Sequence, residues 1–252
     1  MHEDSVAASP IPTNATICER MREQRETTGM HITTLEPQAR HAGRWNVSLD
    51  GHFAFGVDES VILAEGLAVG TELTQEDVTR IQERESEQRL LDAAIRFLTP
   101  RPRSRTEVRR RLLRPHPKHP TPSPEAVERM LDRLEQLGLL NDRDFAGFWV
   151  ENRERFSPRS ARALGQELRQ RGVDRETADD VTDPDRDEAR ALAAGRQRLR
   201  SLAQLDYETF RTRLGQFLLR RGFGYGVARE TVRRLWEEAR GAMPESGEED
   251  DG

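Results

Sequence analysis

The chain holds 252 residues, 35% hydrophobic and 34% charged, with a formal net charge of −5. That length allows one or two domains, and the polar balance excludes one large core in favour of short helices with narrow apolar stripes. The single cysteine, Cys18, excludes an intrachain disulfide and makes a reducing, cytoplasmic setting the default, while no apolar run reaches membrane-spanning length and no secretory signal opens the sequence.

Residues 1–29 are rich in Ser, Thr, Pro and charge and lack periodicity, so they read as a disordered extension. A small β-rich cap is expected over residues 30–73. In "RWNVSLDGHFAFGVD", Trp45, Val47 and Leu49 alternate, Asp50-Gly51 supplies a tight turn, and Phe53, Phe55 and Val57 alternate again. "HITTLEP" adds an edge strand ended by Pro37. Asp58 caps a short helix through "ESVILAE" that stops at Gly66.

From Thr74 the pattern is helical. A connecting helix is expected over 74–87, opened by the capping box Thr74-x-x-Asp77. Ser104-x-x-Glu107 is a second box. Ser123-Pro124, Ser157-Pro158 and Asp183-Pro184 each place a capping residue before a proline suited to the first helical turn. Asn141, Asp174 and Asp206 are further caps, and Gly138, Gly172 and Gly222 sit where helices should stop. Apolar spacing agrees at Leu91, Ala94, Ile95 and Leu98, at Val127, Met130, Leu131 and Leu134, and at Phe210, Leu214, Phe217 and Leu218.

An internal repeat organises this region. At an offset of 50, Leu164, Gly165, Gln166, Leu168, Arg171, Gly172 and Ala178 match Leu214, Gly215, Gln216, Leu218, Arg221, Gly222 and Ala228. Val108 and Leu112 form a weaker copy. The unit is three short helices, repeated over 88–140, 141–182 and 183–241, and such a period predicts an elongated array of neighbours packed on each other.

The net charge is carried by the tail. Residues 242–252 hold Glu245, Glu248, Glu249, Asp250 and Asp251 with no Lys or Arg, so the rest is neutral on average. This end reads as disordered and solubilising, with DNA mimicry against an arginine face as the sharper alternative. Between Arg89 and Arg114 nine Arg face two acids, a local +7, and Lys118 is the only lysine of the chain. Two readings of these arginines stand open: contact with an acidic partner, or a solvated helix face with local ion pairs. Pro100 and Pro102 hold the turn that carries Arg101, Arg103 and Arg105 extended.

Phe145, Phe148 and Trp149 read as a core stripe. "RRGFGYG" follows a helix and lacks a Gly-Lys-Ser/Thr ending, so it is a helix stop with Phe223 and Tyr225 packed on the repeat, not a nucleotide loop. His116 and His119 lie among prolines without a cysteine, and no metal or other cofactor is expected. No nucleophile–base pair and no carboxylate pair in a cleft is visible.

The stretches "AAIRFLTPRPRSRTEVRRRLLR", "VERMLDRLEQLGLLNDRDFAGFWVENR", "SPRSARALGQELRQRGV" and "LGQFLLRRGFGYGVARETVRRL", and the N-terminal "RWNVSLDGHFAFGVDESV", resemble the RecX family. The resemblance covers most of residues 88–241. It implies a mainly α fold, with three tandem three-helix repeats in an extended, curved array behind the β-rich cap. It further implies a non-enzymatic regulator of the RecA recombinase, bound along the groove of the RecA–DNA filament, that limits ATP hydrolysis, filament growth and strand exchange in recombination, DNA repair and the SOS response. "PHPKHPTPSP" departs from the family's basic residue and Gly-Phe in the first repeat, which puts the tilt of that repeat's third helix in question.

On this reading Arg101, Arg103, Arg105, Arg109, Arg110, Arg171, Arg220 and Arg221 meet RecA carboxylates or the phosphates of single- or double-stranded DNA. The protein is expected to be a monomer. The rival readings are a stand-alone DNA-binding helical repeat and a scaffold for another protein partner.

Overall fold

A computed structural model describes residues 29–39, 41–116, 120–202 and 204–241. The expected extension with Cys18, the residues Lys118 and His119, and the acidic tail lie outside the described residues. The chain divides into two compact units, residues 1–92 and 93–252.

The first unit is a four-stranded antiparallel sheet with helices. Its elements are β1 (Met30–Pro37), β2 (Arg44–Leu49), β3 (His52–Asp58), α1 (Glu59–Glu65), β4 (Glu72–Leu73) and the start of α2 (Gln75–Leu98). Strand order is β3-β2-β1-β4. Asp50 and Gly51 both take positive φ, 48° and 83°, which closes the β2–β3 hairpin in the twist the strands need. The strand ended by Pro37 is not a bare edge, because the two-residue β4 pairs with Met30 and His31. The hairpin also departs from simple alternation. Val47 pairs with Phe55 but Ser48 pairs with Phe53, so Ala54 is an extra residue in β3. This bulge reverses the facing of the residues before it. Phe55 and Val57 are buried, whereas Phe53 is 67% exposed.

The core of this unit gathers Ile32, Val47, Leu49, Phe55 and Val57 from the strands, Val61 from α1, and Val78 and Ile81 from α2. Glu85 of α2 ties the layers together. Its carboxylate accepts from Arg44 Nη2 at 2.7 Å, from the Asp58 amide at 2.7 Å and from Arg89 Nε at 2.5 Å. At the start of α2 the box expected at Thr74 is fully formed. The Thr74 N–H and hydroxyl donate to Asp77 at 2.9 and 2.7 Å, and the Asp77 amide donates back to Thr74 Oγ1 at 3.1 Å. Helix α2 then runs unbroken to Leu98, through the expected border at 87/88.

The second unit is helical: α3 (Arg105–Leu112), α4 (Pro124–Gln136), α5 (Asp142–Phe156), α6 (Ala161–Gln170), α7 (Arg175–Val181), a 3-10 turn (Pro184–Arg186), α8 (Asp187–Leu202), α9 (Tyr207–Arg220) and α10 (Tyr225–Gly241). Cap residues start them. Ser104, Ser123, Asn141, Ser160, Asp174 and Asp206 each accept from a backbone N–H of the first turn. One cap sits elsewhere than its sequence suggests. Ser157 closes α5, and α6 begins after Ser160.

Phe145 with Ala146 and Val150 on α5 meets Leu164 and Leu168 on α6 and Ala178 on α7. In the next repeat Phe210, Leu214 and Leu218 on α9 meet Ala191 and Ala194 on α8 and Leu235 on α10. Burying Phe145 or Phe210 fully contributes about 2–3 kcal/mol each, which helices this short need in place of intrinsic propensity.

Consecutive repeats meet through the same joint twice. At the first, the Ser104 hydroxyl donates to the Arg171 carbonyl at 2.7 Å, and the Arg105 amide donates to Asp142 Oδ1 at 2.7 Å. At the second, the Ser160 amide donates to the Arg221 carbonyl at 3.2 Å, and the Ala161 amide donates to Asp187 Oδ1 at 2.7 Å. Gly172 and Gly222 carry positive φ, 86° and 91°, and bring these turns against Thr106 and against Ser160 and Ala163. Asp142 thus serves the helix of the preceding repeat. Burial raises its carboxyl above the ordinary aspartate range, against the Arg105 amide, which lowers it. Arg190 of α8 closes the second joint. It is 4% exposed and donates to Glu154 at 2.8 Å and to the Asp183 carbonyl at 2.6 Å.

Candidate functional site

The joints also arrange charge. Arg171 ends α6 and Arg221 ends α9, at matching places in successive repeats. Arg171 lies 3.7 Å from the Trp149 ring centre and is anchored by Nη1 on the Glu167 carbonyl at 3.1 Å. Arg221 lies 4.6 Å from the Phe217 ring centre, with Nη1 on Ser157 Oγ at 3.1 Å and on the Pro158 carbonyl at 2.8 Å. Arg103 stacks on Phe97 at 4.3 Å, Arg153 on Trp149 at 4.6 Å and Arg198 on Phe217 at 5.0 Å. Phe97, Trp149 and Phe217, from successive repeats, are thus aromatic floors with guanidinium groups laid on them, a geometry that fixes the planar cation at low entropic cost.

These cations form one electrostatic row. Burial lowers Arg171, Arg153 and Arg101 lower it further, and Glu167 and Glu107 raise it. Burial lowers Arg221, and its other influences are the like charges Arg159, Arg198 and Arg153. Burial and then Arg101 lower Arg103, with Glu107 opposing. Among Arg101, Arg103, Arg153, Arg159, Arg171, Arg198 and Arg221, the first five lie near two carboxylates, Glu107 and Glu167. Glu107 lies 3.6 Å from Arg101 and 3.9 Å from Arg103, and Glu167 lies 2.9 Å from Arg153 and 3.1 Å from Arg159. Arg221 has no carboxylate partner among the described residues. Such a row is a standing demand for anions.

Of the arginines singled out in the sequence, the row takes in Arg101, Arg103, Arg171 and Arg221. Arg105 and Arg109 turn to α4 instead. Arg105 meets Glu128 at 2.8 Å, Asp132 at 2.7 Å and Glu135 at 2.7 Å, and the Glu135 hydrogen bond leads in raising its guanidinium. Arg109 meets Glu128 at 2.7 Å. Arg110 and Arg220 are exposed and stand outside the row. Arg153, Arg159 and Arg198 are members that the sequence reading missed. Arg153 had a usable signal, since it follows Trp149 by four residues and so shares its helix face. The stripe of α5 is also split. Phe145 is fully buried, while Trp149 is half-buried and donates from Nε1 to Glu167 at 2.8 Å. Likewise Phe223 is buried but Tyr225 is 72% exposed. Among the described residues no group of three or more His, Cys, Asp or Glu could hold a metal ion, and no helix is long and apolar enough to cross a membrane.

Fold and site together define a helical-repeat protein with a small β-rich N-terminal unit and a cationic row along its repeat joints. Family models place it further. The model of the regulatory protein RecX N-terminal domain matches residues 30–74, that of the second RecX three-helix domain residues 141–181, and that of the third residues 185–243. Together these take in more than half of the sequence, and the chain belongs to the RecX family of regulatory proteins.

Regulatory protein RecX of Lactobacillus johnsonii is 33% identical over 142 residues, 56% of this chain and 50% of that protein. Regulatory protein RecX of Clostridium botulinum is 24% identical over 208 residues, 80% of this chain and 94% of that protein. The chain spans 50% to 62% of the length of the first curated relatives it matches. A crystal structure of regulatory protein RecX shares the fold, with a TM-score of 0.59 at 24% identity, over 81% of this chain and 99% of that one.

Proposed function

We propose that this protein is a non-enzymatic regulator of the RecA recombinase. It acts in the cytoplasm as a monomer, lies in the groove of the RecA–DNA filament, and inhibits ATP hydrolysis, filament extension and strand exchange. The observation that carries the reading is the arginine row. Its guanidinium groups are fixed on aromatic floors at two equivalent joints and outnumber their carboxylates. A filament groove offers RecA carboxylates and DNA phosphates at a regular spacing, and a row built on a structural repeat suits a repeating acidic surface. Membership of a family of regulatory proteins supports control rather than catalysis as the output.

The test is a titration of RecA ATPase on saturated single-stranded DNA. The wild type should inhibit. Arg101→Glu with Arg198→Glu, which leave the joint anchors of Arg171 and Arg221 in place, should raise the midpoint at least tenfold. If about five row members neutralise single-strand phosphates, affinity should fall with salt at a log–log slope of about −3 to −4. No effect of the wild type on RecA, together with tight duplex binding, would establish a stand-alone DNA-binding protein instead. No effect on RecA with no DNA binding would favour a scaffold for another protein.

A further inference from the structure

The second and third repeats match at an offset of 50, yet one matched glycine has different surroundings in each. In the second repeat, Gly165 of α6 is covered by the chain that leaves α7. A Cβ on Gly165 would lie 3.7 Å from Thr182 Oγ1. The turn that follows, Pro184–Arg186, packs on α6, and Asp187 accepts from the Ala161 amide at 2.7 Å. Residues 182–187, Thr-Asp-Pro-Asp-Arg-Asp, thus lie along α6 where Ala161 and Gly165 are buried. In the third repeat α10 instead runs on as helix from Val232, the counterpart of Thr182, to Gly241. Among the described residues nothing lies within 4 Å of a Cβ on Gly215, the counterpart of Gly165. A groove of about 320 Å³ stands there between α9 and α10. Tyr207, Leu219 and Tyr225 line it at 40%, 45% and 72% exposed, where the second repeat has Ser157, Arg169 and Arg175. The outer face of a repeat array is ordinarily polar, so three large exposed apolar side chains around an open groove mark a contact surface.

We propose that this groove docks an acidic peptide segment of a partner protein, one opened by a proline turn and carrying an apolar side chain. The segment that fills the same place one repeat earlier sets the occupant's chemistry: three aspartates around Pro184. Charge selects in the same direction. Arg211 and Arg229 line the groove. Arg229 has no ion pair among the described residues. Arg211 holds Glu208 at 2.6 Å in an exposed pair, and such pairs are weak enough for a second carboxylate to share the cation. Tyr207, Leu219 and Tyr225 take the apolar side chain, and Thr212 and Gln216 supply hydrogen-bonding groups for a peptide backbone. A nucleic acid strand fits less well, because two cations, one of them beside Glu208, give little hold on a run of phosphates. The groove is separate from the arginine row. Phe217, the floor under Arg198 and Arg221, lies about 160° around α9 from Gly215. A partner can therefore hold this groove whatever binds the row.

The probe is an end-blocked peptide copying residues 181–187 with Arg186→Leu, titrated into the full isotope-labelled chain and followed by NMR. The amides of Thr212, Gly215 and Tyr225 should shift saturably, while those of Arg198 and Arg221 stay in place. Changing the peptide's three aspartates to asparagine should weaken binding about fivefold. Gly215→Leu fills the groove on a helix that gains from losing a glycine, so the variant should fold and weaken the peptide about tenfold or more. Arg229→Glu should weaken it about fivefold, whereas Arg213→Glu, an equal charge change outside the groove, should leave it unchanged. No saturable shift at Thr212, Gly215 and Tyr225, or equal binding to Gly215→Leu, would overturn the proposal. Tighter binding of an oligothymidylate at the same amides, lost in Gly215→Leu, would overturn it in favour of nucleic acid. Neither result touches the RecA reading, which the ATPase titration of the row variants decides.

Discussion

Gly172→Ala tests the joint between the first two repeats. The substitution should fail for two separable reasons. The first is backbone strain: at φ 86° an alanine costs about 1–2 kcal/mol relative to glycine. The second is collision. A Cβ on Gly172 would lie 2.5 Å from Thr106 Cβ, whose position is set by the backbone of α3 and does not change with side-chain rotation. Forcing a methyl into packed space of that kind costs about 1–3 kcal/mol. The expected loss is therefore about 2–5 kcal/mol, read from urea unfolding followed by helical circular dichroism.

Gly138 supplies the control. It also has positive φ, 68°, but nothing lies within 4 Å of its added Cβ. Gly138→Ala should pay only the strain. Thr106→Gly in the Gly172→Ala background should return the collision part, leaving a coupling of about 1–3 kcal/mol in the double-mutant cycle. If Gly172→Ala costs no more than Gly138→Ala, or if Thr106→Gly shows no coupling, the close approach at the joint is wrong.

Asp142→Asn should be neutral or slightly stabilising at neutral pH, because it keeps the acceptor for the Arg105 amide and sheds a charge that burial disfavours, whereas Asp142→Ala should cost about 1–2 kcal/mol in urea unfolding. The sign follows from the raised folded pKa: this site's contribution is full below the ordinary aspartate value of about 3.9 and is lost as pH rises through the folded value. Asp77 runs the other way. Hydrogen bonds from the Thr74 hydroxyl, then from the Thr74 amide, lower its pKa to about 2. Its contribution is present above the ordinary value and lost as pH falls towards 2, so a carboxyl NMR titration should show a midpoint near 2 that Thr74→Ala moves up; a midpoint near 4 in the wild type would contradict the capping box. Arg190→Ala should destabilise by about 3 kcal/mol in the same urea assay by removing a buried cation from Glu154, Asp187 and the Asp183 carbonyl, and a loss under about 1 kcal/mol would mean that Arg186 and the Ala161 amide already satisfy the two carboxylates.

Much of this molecule could be read from local chemistry. Caps and stops depend on a residue and its near neighbours, and Ser104, Ser123, Asn141, Asp174 and Asp206 behave as their sequence context dictates. Asp50-Gly51 does so too. What could not be read arises from contacts distant in sequence. The bulge at Ala54 answers to the partner strand, and no pattern within "HFAFGVD" announces it. Ser157-Pro158 looks like a helix start, but its hydroxyl and carbonyl are held by Arg221, 64 and 63 residues away. The dense run from Arg101 to Arg111 drew attention by count alone. The structure divides it, sending Arg105 and Arg109 to α4 and aligning Arg101 and Arg103 with cations that come from α5, α6, α8 and α9. Arg198 could not be found from sequence, because it joins the row only through a ring on another helix.

The borrowed carboxylates at the joints carry a consequence for how the protein is made. The first amide of α3 waits for Asp142, and that of α6 waits for Asp187, each supplied by the repeat still to come. Helix α9 opens on Asp206, whose carboxylate accepts from the Thr209 amide as the Ser104 and Ser160 hydroxyls accept from the Glu107 and Ala163 amides. On a ribosome, then, each of the first two repeats emerges unfinished and is completed by the start of its successor. The order of synthesis is therefore also the order in which these two joints are completed.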